Sequence, residues 1–213
     1  GEQTLRRIRD LRGSGADQEL RSLRSLPATE PEGEEERPEI AVCVSGCLAH
    51  LYVRGEPRRL TLEAVRERCP GLVPALLAHP GVGFAVAEIA SGEVLAIGAH
   101  GVRNLDTGEV AERDPLAGYG DVGHWAPELA RLARAPSSGD LLLNGTWLAA
   151  EKKIVVFEEQ TSSHGGLGGP QTGAFALLPV DWQVAPGAIE GAESLYREFL
   201  ARRPVGKPGN DAD

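Results

Sequence analysis

The residues of this sequence that are best suited to chemistry are a histidine and the glycines that follow it. Residues 161–172 read TSSHGGLGGPQT, so that two pairs of glycine follow His164. Glycine lets the backbone approach a ligand or an ion closely, and a neutral imidazole is a good zinc ligand. The spacing alone leaves two interpretations open: a loop in which His164 binds a metal, or a flexible turn that contains an incidental histidine. A P-loop is excluded because the segment lacks the Lys-Ser/Thr ending.

The three cysteines, Cys43, Cys47 and Cys69, form no CxxC pair. If residues 40–45 and 48–53 are extended, Cys43 and Cys47 lie about 13 Å apart, beyond the reach of a disulfide. We therefore predict reduced, buried cysteines that pack as small apolar side chains. This pattern favours a reducing compartment such as the cytoplasm.

The composition is typical of one soluble domain. Of 213 residues, 41% are hydrophobic and 25% are charged, and the formal net charge is −9. An acidic surface repels phosphate backbones, so we expect no binding to duplex nucleic acid. No apolar run reaches the roughly 18–20 residues of a membrane span. Methionine is absent, and we interpret the chain as part of a longer protein.

Alternating strands and helices are expected to position the His164 loop, which indicates an α/β class. Ile40–Ser45 is a continuous β-rich run, typical of a strand buried on both faces, and Leu48–Val53 predicts a second strand. Residues 140–144 predict a short buried strand, and residues 154–157 predict one that leads into the loop.

Turn and cap signals predict the remaining elements. Two hairpin patterns form a small β-rich lobe over residues 81–113. Thr61 and Asp121 are expected to cap helices, the second of which runs to Arg134, and an amphipathic helix is expected over residues 192–200. Residues 1–37 read as a helical remnant followed by an acidic Pro/Glu linker, and residues 203–213 read as a flexible tail.

Five short segments in fixed order together resemble a known family. They are residues 44–52 (VSGCLAHLY), 70–84, 101–109, 139–141 and 163–166 (SHGG). As a set they resemble the C-terminal part of alkaline-phosphatase-superfamily proteins of the type I phosphodiesterase/nucleotide pyrophosphatase kind. The likeness is to the bacterial branch, which is often fused to a holin-like membrane segment, and it covers roughly residues 38–200.

The resemblance implies a fold and a chemistry. The fold would be the C-terminal part of a three-layer α/β sandwich, spanning residues 38–202. Such enzymes hold two zinc ions that bind a phosphoryl group, which a Thr or Ser nucleophile attacks. Their last metal ligand is a histidine followed by glycine, and His164 alone matches that context. By the same resemblance, Cys47 stands where family members usually carry Asn.

The other expected ligands are not found in the sequence. The family's earlier Asp-His-Gly element has no counterpart, since no Asp-His dipeptide occurs. Asp121–His124 is similar to such an element but is one residue short, and we interpret Asp121 as a helix cap. His50 is expected to be packed within its strand.

We therefore predict the C-terminal portion of a zinc-dependent phosphodiester or phosphomonoester hydrolase, with His164 as its one metal ligand. The substrate would be a phosphate ester, and a missing N-terminal segment would supply the nucleophile and the other ligands, so that this chain alone would be inactive. The alternative is a non-catalytic α/β module that binds a partner chain. A truncated sheet would expose a strand edge and favour self-association.

Overall fold

The structure, a computed structural model, describes residues 40–159, 163–185, 187 and 189–202. The linker predicted within residues 1–37 and the tail predicted over residues 203–213 lie outside the described residues. The chain divides into two compact units, and the boundary between them along the sequence lies between Gly173 and Ala174.

An antiparallel sheet of seven strands forms the first unit, with the strand order β1-β2-β7-β3-β4-β5-β6. The strands are β1 (Ile40–Ser45), β2 (Leu48–Val53), β3 (Val82–Glu88), β4 (Val94–Gly98), β5 (Gly101–Asn104), β6 (Val110–Glu112) and β7 (Leu141–Gly145). Two further strands, β8 (Trp147–Leu148) and β9 (Lys153–Ile154), pair with each other. The strand predicted over residues 154–157 thus ends at Ile154, and the buried residues 155–157 continue without pairing as a strand.

The strands of the expected β-rich lobe continue this sheet. Strands β3 to β6 pair with their sequence neighbours, and β3 also pairs with β7, which in turn pairs with β2. Because β7 lies between β2 and β3, residues 81–113 supply four of the seven strands of one continuous sheet and do not form a separate lobe.

Helices pack on both faces of the sheet. On one face, α1 (Leu62–Arg68) and α2 (Leu72–Ala78) cover the side chains of Leu51, Ala85 and Leu141. On the other face, α3 (Val122–Ala133) covers Phe84 and Leu142. Alternate residues of β3 and β7 thus enter opposite clusters, as the two-residue period of a strand requires. The α/β class predicted from the sequence is confirmed.

Both predicted helix caps are present. The Thr61 hydroxyl accepts a hydrogen bond from the Ala64 amide at the start of α1. The Asp121 carboxylate accepts one from the His124 amide at the start of α3. Each cap binds an amide of the first helical turn, which has no carbonyl four residues earlier within the helix to accept its hydrogen bond.

The prediction that β1 is buried on both faces is wrong. β1 is an edge strand that pairs with β2, and its residues are half-buried or exposed, with the Val42 side chain 53% exposed. A run of apolar, β-branched residues predicts a strand. Whether that strand lies in the centre or at the edge of the sheet depends on its pairing with distant segments, which the run itself does not encode. Cys43 is exposed on the same strand, which corrects its prediction as a buried side chain.

The second unit contains α4 (Gly191–Arg202), which is the helix expected near residues 192–200. The rings of Trp182 and Phe199 pack edge to face 5.3 Å apart, and the Arg202 guanidinium lies over Trp182. Within the described residues, no helix has the length and apolar character needed to span a bilayer.

A buried carboxylate joins β2 to the segment that leads into α1. Asp140 is 6% exposed, and its two oxygens accept hydrogen bonds of 2.6 Å from the amides of Val53 and Leu60. We expect Asp140→Ala to lower the free energy of unfolding by about 2–4 kcal/mol, because the buried Val53 amide and the half-buried Leu60 amide both lose their hydrogen-bond acceptor.

Urea unfolding measures this loss, and Asp121→Ala is the control because it removes an exposed helix cap, at a cost of about 1 kcal/mol. Asp140→Asn retains one carbonyl oxygen and should fall between Asp140→Ala and the unmodified chain. Equal losses for Asp140→Ala and Asp121→Ala would contradict the buried role.

Candidate functional site

The His164 loop crosses directly over the turn between β1 and β2. The Cys47 amide donates a hydrogen bond of 2.9 Å to the His164 carbonyl oxygen. The imidazole itself is exposed, and its Nδ1 lies 3.3 Å from the Ser45 hydroxyl oxygen at the end of β1. The backbone of His164 is thus fixed to the sheet while its side chain remains accessible to a ligand.

Gly46 makes this close contact feasible. Its φ is +60°, and a Cβ atom there would lie 2.2 Å from the His164 carbonyl oxygen. A side chain would therefore be strained at Gly46 and would also displace the loop. Gly46, in the turn between β1 and β2, therefore allows His164 to lie against this turn although the two residues are more than one hundred positions apart.

Asn144 holds the next part of the loop from beneath. Its Oδ1 accepts a hydrogen bond of 2.7 Å from the Leu167 amide, and its Nδ2 donates one of 2.9 Å to the Leu167 carbonyl. Nδ2 also donates to the Gly145 carbonyl. The side chain is 2% exposed, so its polar atoms are satisfied by backbone groups in a buried position.

Gln171 connects the far end of the loop to its beginning. Its Nε2 donates hydrogen bonds to the Gly166 carbonyl at 3.0 Å and to the Cys47 sulfur at 3.2 Å. The Ser163 hydroxyl donates to Gln171 Oε1 at 3.3 Å. These contacts close residues 163–171 into a compact loop in which the buried Cys47 side chain is part of the base.

The chain just before the loop binds the other side of the same turn. The Phe157 amide donates a hydrogen bond of 2.8 Å to the Gly46 carbonyl, and the Glu158 carboxylate accepts one from the Gly46 amide. Glu158 and His164 therefore both contact Gly46. A carboxylate and an imidazole are the side-chain types that bind zinc, although His164 was the one ligand inferred from the sequence.

His50 and His124, neither of which is predicted to bind a metal, have structural partners. His50 Nδ1 accepts a hydrogen bond of 3.2 Å from the Gly139 amide, and burial lowers its pKa. Asp121 acts as a helix cap, as interpreted from the sequence, and the rings of His124 and Trp125 pack edge to face. All three cysteines are free.

The sequence analysis missed the residues that fix the loop. Asn144, Gln171 and Cys47 meet beneath it although they are distant in sequence. The one available signal was an amide side chain at the end of the leucine run 141–143, since a polar residue in a buried strand requires hydrogen-bond partners. Within the part of the chain that the structure describes, no three His, Cys, Asp or Glu side chains are grouped as a metal site would require.

Comparisons of this chain with protein-family models, with curated proteins and with solved structures found no match. The functional interpretation therefore depends on the residues themselves and on their geometry.

The packing of the loop predicts that Gly166→Ala is destabilising. A Cβ atom at Gly166 would lie 2.4 Å from Asn144 Oδ1 and 2.9 Å from the Cys47 sulfur. We expect a loss of about 1–3 kcal/mol in the free energy of unfolding, because buried groups must shift. Gly118→Ala is the matched control, since nothing lies within 4 Å of a Cβ atom there.

Thermal or urea unfolding of both variants makes the comparison, and amide NMR shifts of residues 163–171 locate the change. Gly118→Ala should leave stability unchanged or raise it slightly. Equal stability of the two variants would contradict the close packing of the loop against Asn144.

The environment of His50 predicts a pH effect on stability. Burial lowers its pKa below the ordinary value of 6.5, so the unfolded chain takes up a proton before the folded chain does. The free energy of unfolding should therefore decrease as the pH falls through about 6.5. His50→Gln should reduce the stability difference between about pH 7.5 and about pH 5.5.

Urea unfolding at both pH values tests this prediction, with the exposed His100 replaced by glutamine as the control. A pH dependence that is the same for His50→Gln and for the unmodified chain would show that His50 titrates normally.

Proposed function

We propose that this chain is the C-terminal portion of a zinc-dependent phosphodiester or phosphomonoester hydrolase of the alkaline phosphatase superfamily. In this proposal the helices and the sheet are part of the three-layer sandwich of that superfamily, and His164 is its last metal ligand. The observation that carries the proposal is the exposed imidazole of His164 on a loop whose backbone is fixed to the sheet. The resemblance of five ordered segments to the family, among them SHGG at residues 163–166, supports the same proposal.

The donor atoms around His164 fit a zinc ligand. Metal-binding histidines usually donate the N–H of their second ring nitrogen to an oxygen, which fixes the ring. Ser45 Oγ, 3.3 Å from Nδ1, is placed to accept such a hydrogen bond. Nε2 would then bind the metal from the exposed side of the loop.

The fixed loop would position the imidazole before any metal binds. The hydrogen bonds from Asn144 and Gln171 hold the loop backbone, so metal binding need not order it. Zinc in such a site would stabilise the negative charge that develops on phosphate oxygens. In this proposal the nucleophile and the other ligands come from polypeptide outside the described residues.

A second candidate is the non-catalytic module that binds a partner chain. The uncharged and partly exposed strand β1 favours it, because such an edge can pair with a strand from another polypeptide. A generic phosphodiester assay on the full-length polypeptide separates the two candidates, since only the hydrolase would show zinc-dependent turnover.

We expect His164→Ala in the full-length polypeptide to reduce both zinc binding and hydrolysis. Loss of a residue that only orients a ligand costs about 10–100-fold, so loss of the ligand itself should lower kcat/KM by more than about 100-fold. Zinc per chain, measured by elemental analysis after dialysis, should fall from two ions towards one. The 213-residue chain alone should bind zinc weakly in calorimetry.

His100→Ala is the control, because His100 is also exposed but lies in the turn between β4 and β5. It should leave zinc content and activity unchanged. Unaltered zinc affinity in His164→Ala would remove that residue from the metal site, and tight binding by the 213-residue chain alone would contradict the dependence on further polypeptide.

A further inference from the structure

The two edges of the sheet differ in how they are protected. At one edge, β6 has three residues and ends at Glu112, whose φ is +62°. At the other edge, β1 has six residues, IAVCVS, with neither a charged residue nor a proline. Natural proteins commonly protect sheet edges by short strands, charges, prolines or bulges. By these criteria β6 is protected and β1 is open to pairing.

The register shows which backbone groups of β1 face outward. The Leu51 carbonyl accepts a hydrogen bond of 2.8 Å from the Asp140 amide, so the backbone of Leu51 faces β7. Val42 lies directly opposite Leu51, which makes this a pair without mutual hydrogen bonds. The N–H and C=O groups of Val42 therefore point away from the sheet, as do those of Ile40 and Val44 at every second position. Among the described residues, these groups have no hydrogen-bond partner.

The second unit begins with an exposed apolar segment. Residues 174–178, called here the AFALL segment, have no charged side chain and belong to no helix or strand. The side chains of Phe175 and Leu177 are 88% and 90% exposed. Within the described part of the chain, the backbone of the segment has no hydrogen-bond partner. Neighbouring apolar side chains that are this exposed indicate a contact surface.

The AFALL segment and β1 have the features of neighbouring strands. Alternate side chains of a strand lie on one face, so Phe175 and Leu177 would share a face in a paired segment. Ile40 and Val44 pack against the apolar cluster that α1 and α2 cover, whereas Val42, on the same face between them, is exposed. A strand beside β1 with Phe175 on this face would cover Val42, and pairs of aromatic and β-branched side chains stabilise sheets.

We propose that the AFALL segment of one copy of this chain pairs with the outer edge of β1 in a second copy, which returns the same contact. Each copy has one open edge and one segment, so the exchange closes into a two-fold dimer. The inference is independent of the zinc site at His164.

The exchanged surfaces set the strength of this dimer. The Phe175 ring alone would bury about 150–250 Å² in each copy. Together with Leu177, Val42 and the paired backbones, two such contacts approach the roughly 1,200 Å² at which specific interfaces begin. We therefore expect a dimer that dissociates on dilution.

The exchange explains the exposed groups better than two other pairings. Pairing of β1 with the β1 of another copy would cover Val42 but leave Phe175 and Leu177 in water. Each copy carries a formal charge of −9, so copies repel each other unless the surfaces that meet are uncharged. Both β1 and the AFALL segment meet that condition. Within one chain Val42, Phe175 and Leu177 are all exposed, which favours pairing between copies.

The test combines sedimentation with hydrogen exchange on the isotope-labelled 213-residue chain over a wide range of concentration. We expect a monomer at low concentration and a dimer at high concentration. In the dimer the amides of Val42 and Val44 should exchange about tenfold more slowly or less, because they gain hydrogen-bond acceptors. The amide of Val110 in β6 should be unaffected.

Two exposed positions of the second unit give a matched pair of variants. Phe175→Asp places a carboxylate in the AFALL segment and should weaken the dimer by about tenfold or more, because the charge would lose water on pairing. Val180→Asp makes a similar change at an exposed side chain beyond Pro179, outside the segment. It should leave the dimer unchanged.

A second matched pair lies on the edge itself. Val42→Pro removes an outward-facing N–H group and should abolish the dimer, whereas Val42→Thr retains that group and should dimerise as the unmodified chain does. The amide spectrum shows whether each variant is folded. Val42→Lys, which adds a charge to the edge but keeps the N–H group, replaces Val42→Pro if the proline variant does not fold.

Mixing the two kinds of variant identifies the strands that pair. Labelled Phe175→Asp chain retains an intact β1, and unlabelled Val42→Pro chain retains an intact AFALL segment. Neither should dimerise alone, but the mixture can form one of the two contacts. We expect the Val42 and Val44 amides of the labelled chain to become protected only when the unlabelled chain is added.

Three results would overturn the exchange. A dimer that persists in Phe175→Asp but is lost in Val42→Pro would show that two β1 strands pair with each other. Protection of Val42 in a monomer would show that the edge is covered within one chain. A monomer at every concentration with Val42 unprotected, or no protection in the mixture, would show that the AFALL segment does not bind β1.

Discussion

The close contact between the turn of residues 45–47 and the His164 loop is the constraint on which the site depends. One backbone hydrogen bond, from Cys47 to His164, joins the two segments. It requires glycine at position 46, where a side chain would meet the His164 carbonyl. It also requires that the rest of the loop backbone be held in place. The buried Asn144 side chain does so through its hydrogen bonds with the amide and the carbonyl of Leu167. Loss of this contact would leave the histidine on an unsupported glycine segment.

The sheet supports this contact because both of its faces are buried. Apolar side chains of β3 and β7 pack against helices on either side, so β7 is fixed between its neighbours and Asn144 at its end is fixed with it. Polar groups that hold a loop are useful only when their own positions are rigid. Burial of leucine, valine and alanine in the centre of the sheet therefore determines the geometry of an exposed histidine at its margin.

Local signals in the sequence were sufficient for the elements but not for their arrangement. The caps at Thr61 and Asp121 and the hairpin at residues 91–92 involve residues within a few positions of each other. The insertion of β7 between β2 and β3 joins segments about sixty to ninety residues apart, which no local pattern encodes. For the same reason the edge position of β1 was not predicted.

In the site, too, the local feature was predicted from the sequence and the long-range contacts were not. His164 was selected from its own segment, because an imidazole among glycines is a local pattern. Its supporting residues were not, because Cys47, Asn144 and Gln171 meet only after the sheet forms. An amide among leucines signals a buried hydrogen bond but does not identify its partner. The family resemblance, which no comparison tested, adds the chemistry and stays a prediction.

The most direct measurement is the position of zinc in crystals of the full-length polypeptide, located by anomalous scattering at the zinc absorption edge. The proposed site predicts a peak about 2.0–2.1 Å from His164 Nε2. A fully occupied zinc site with His164 outside its coordination shell would contradict the assignment.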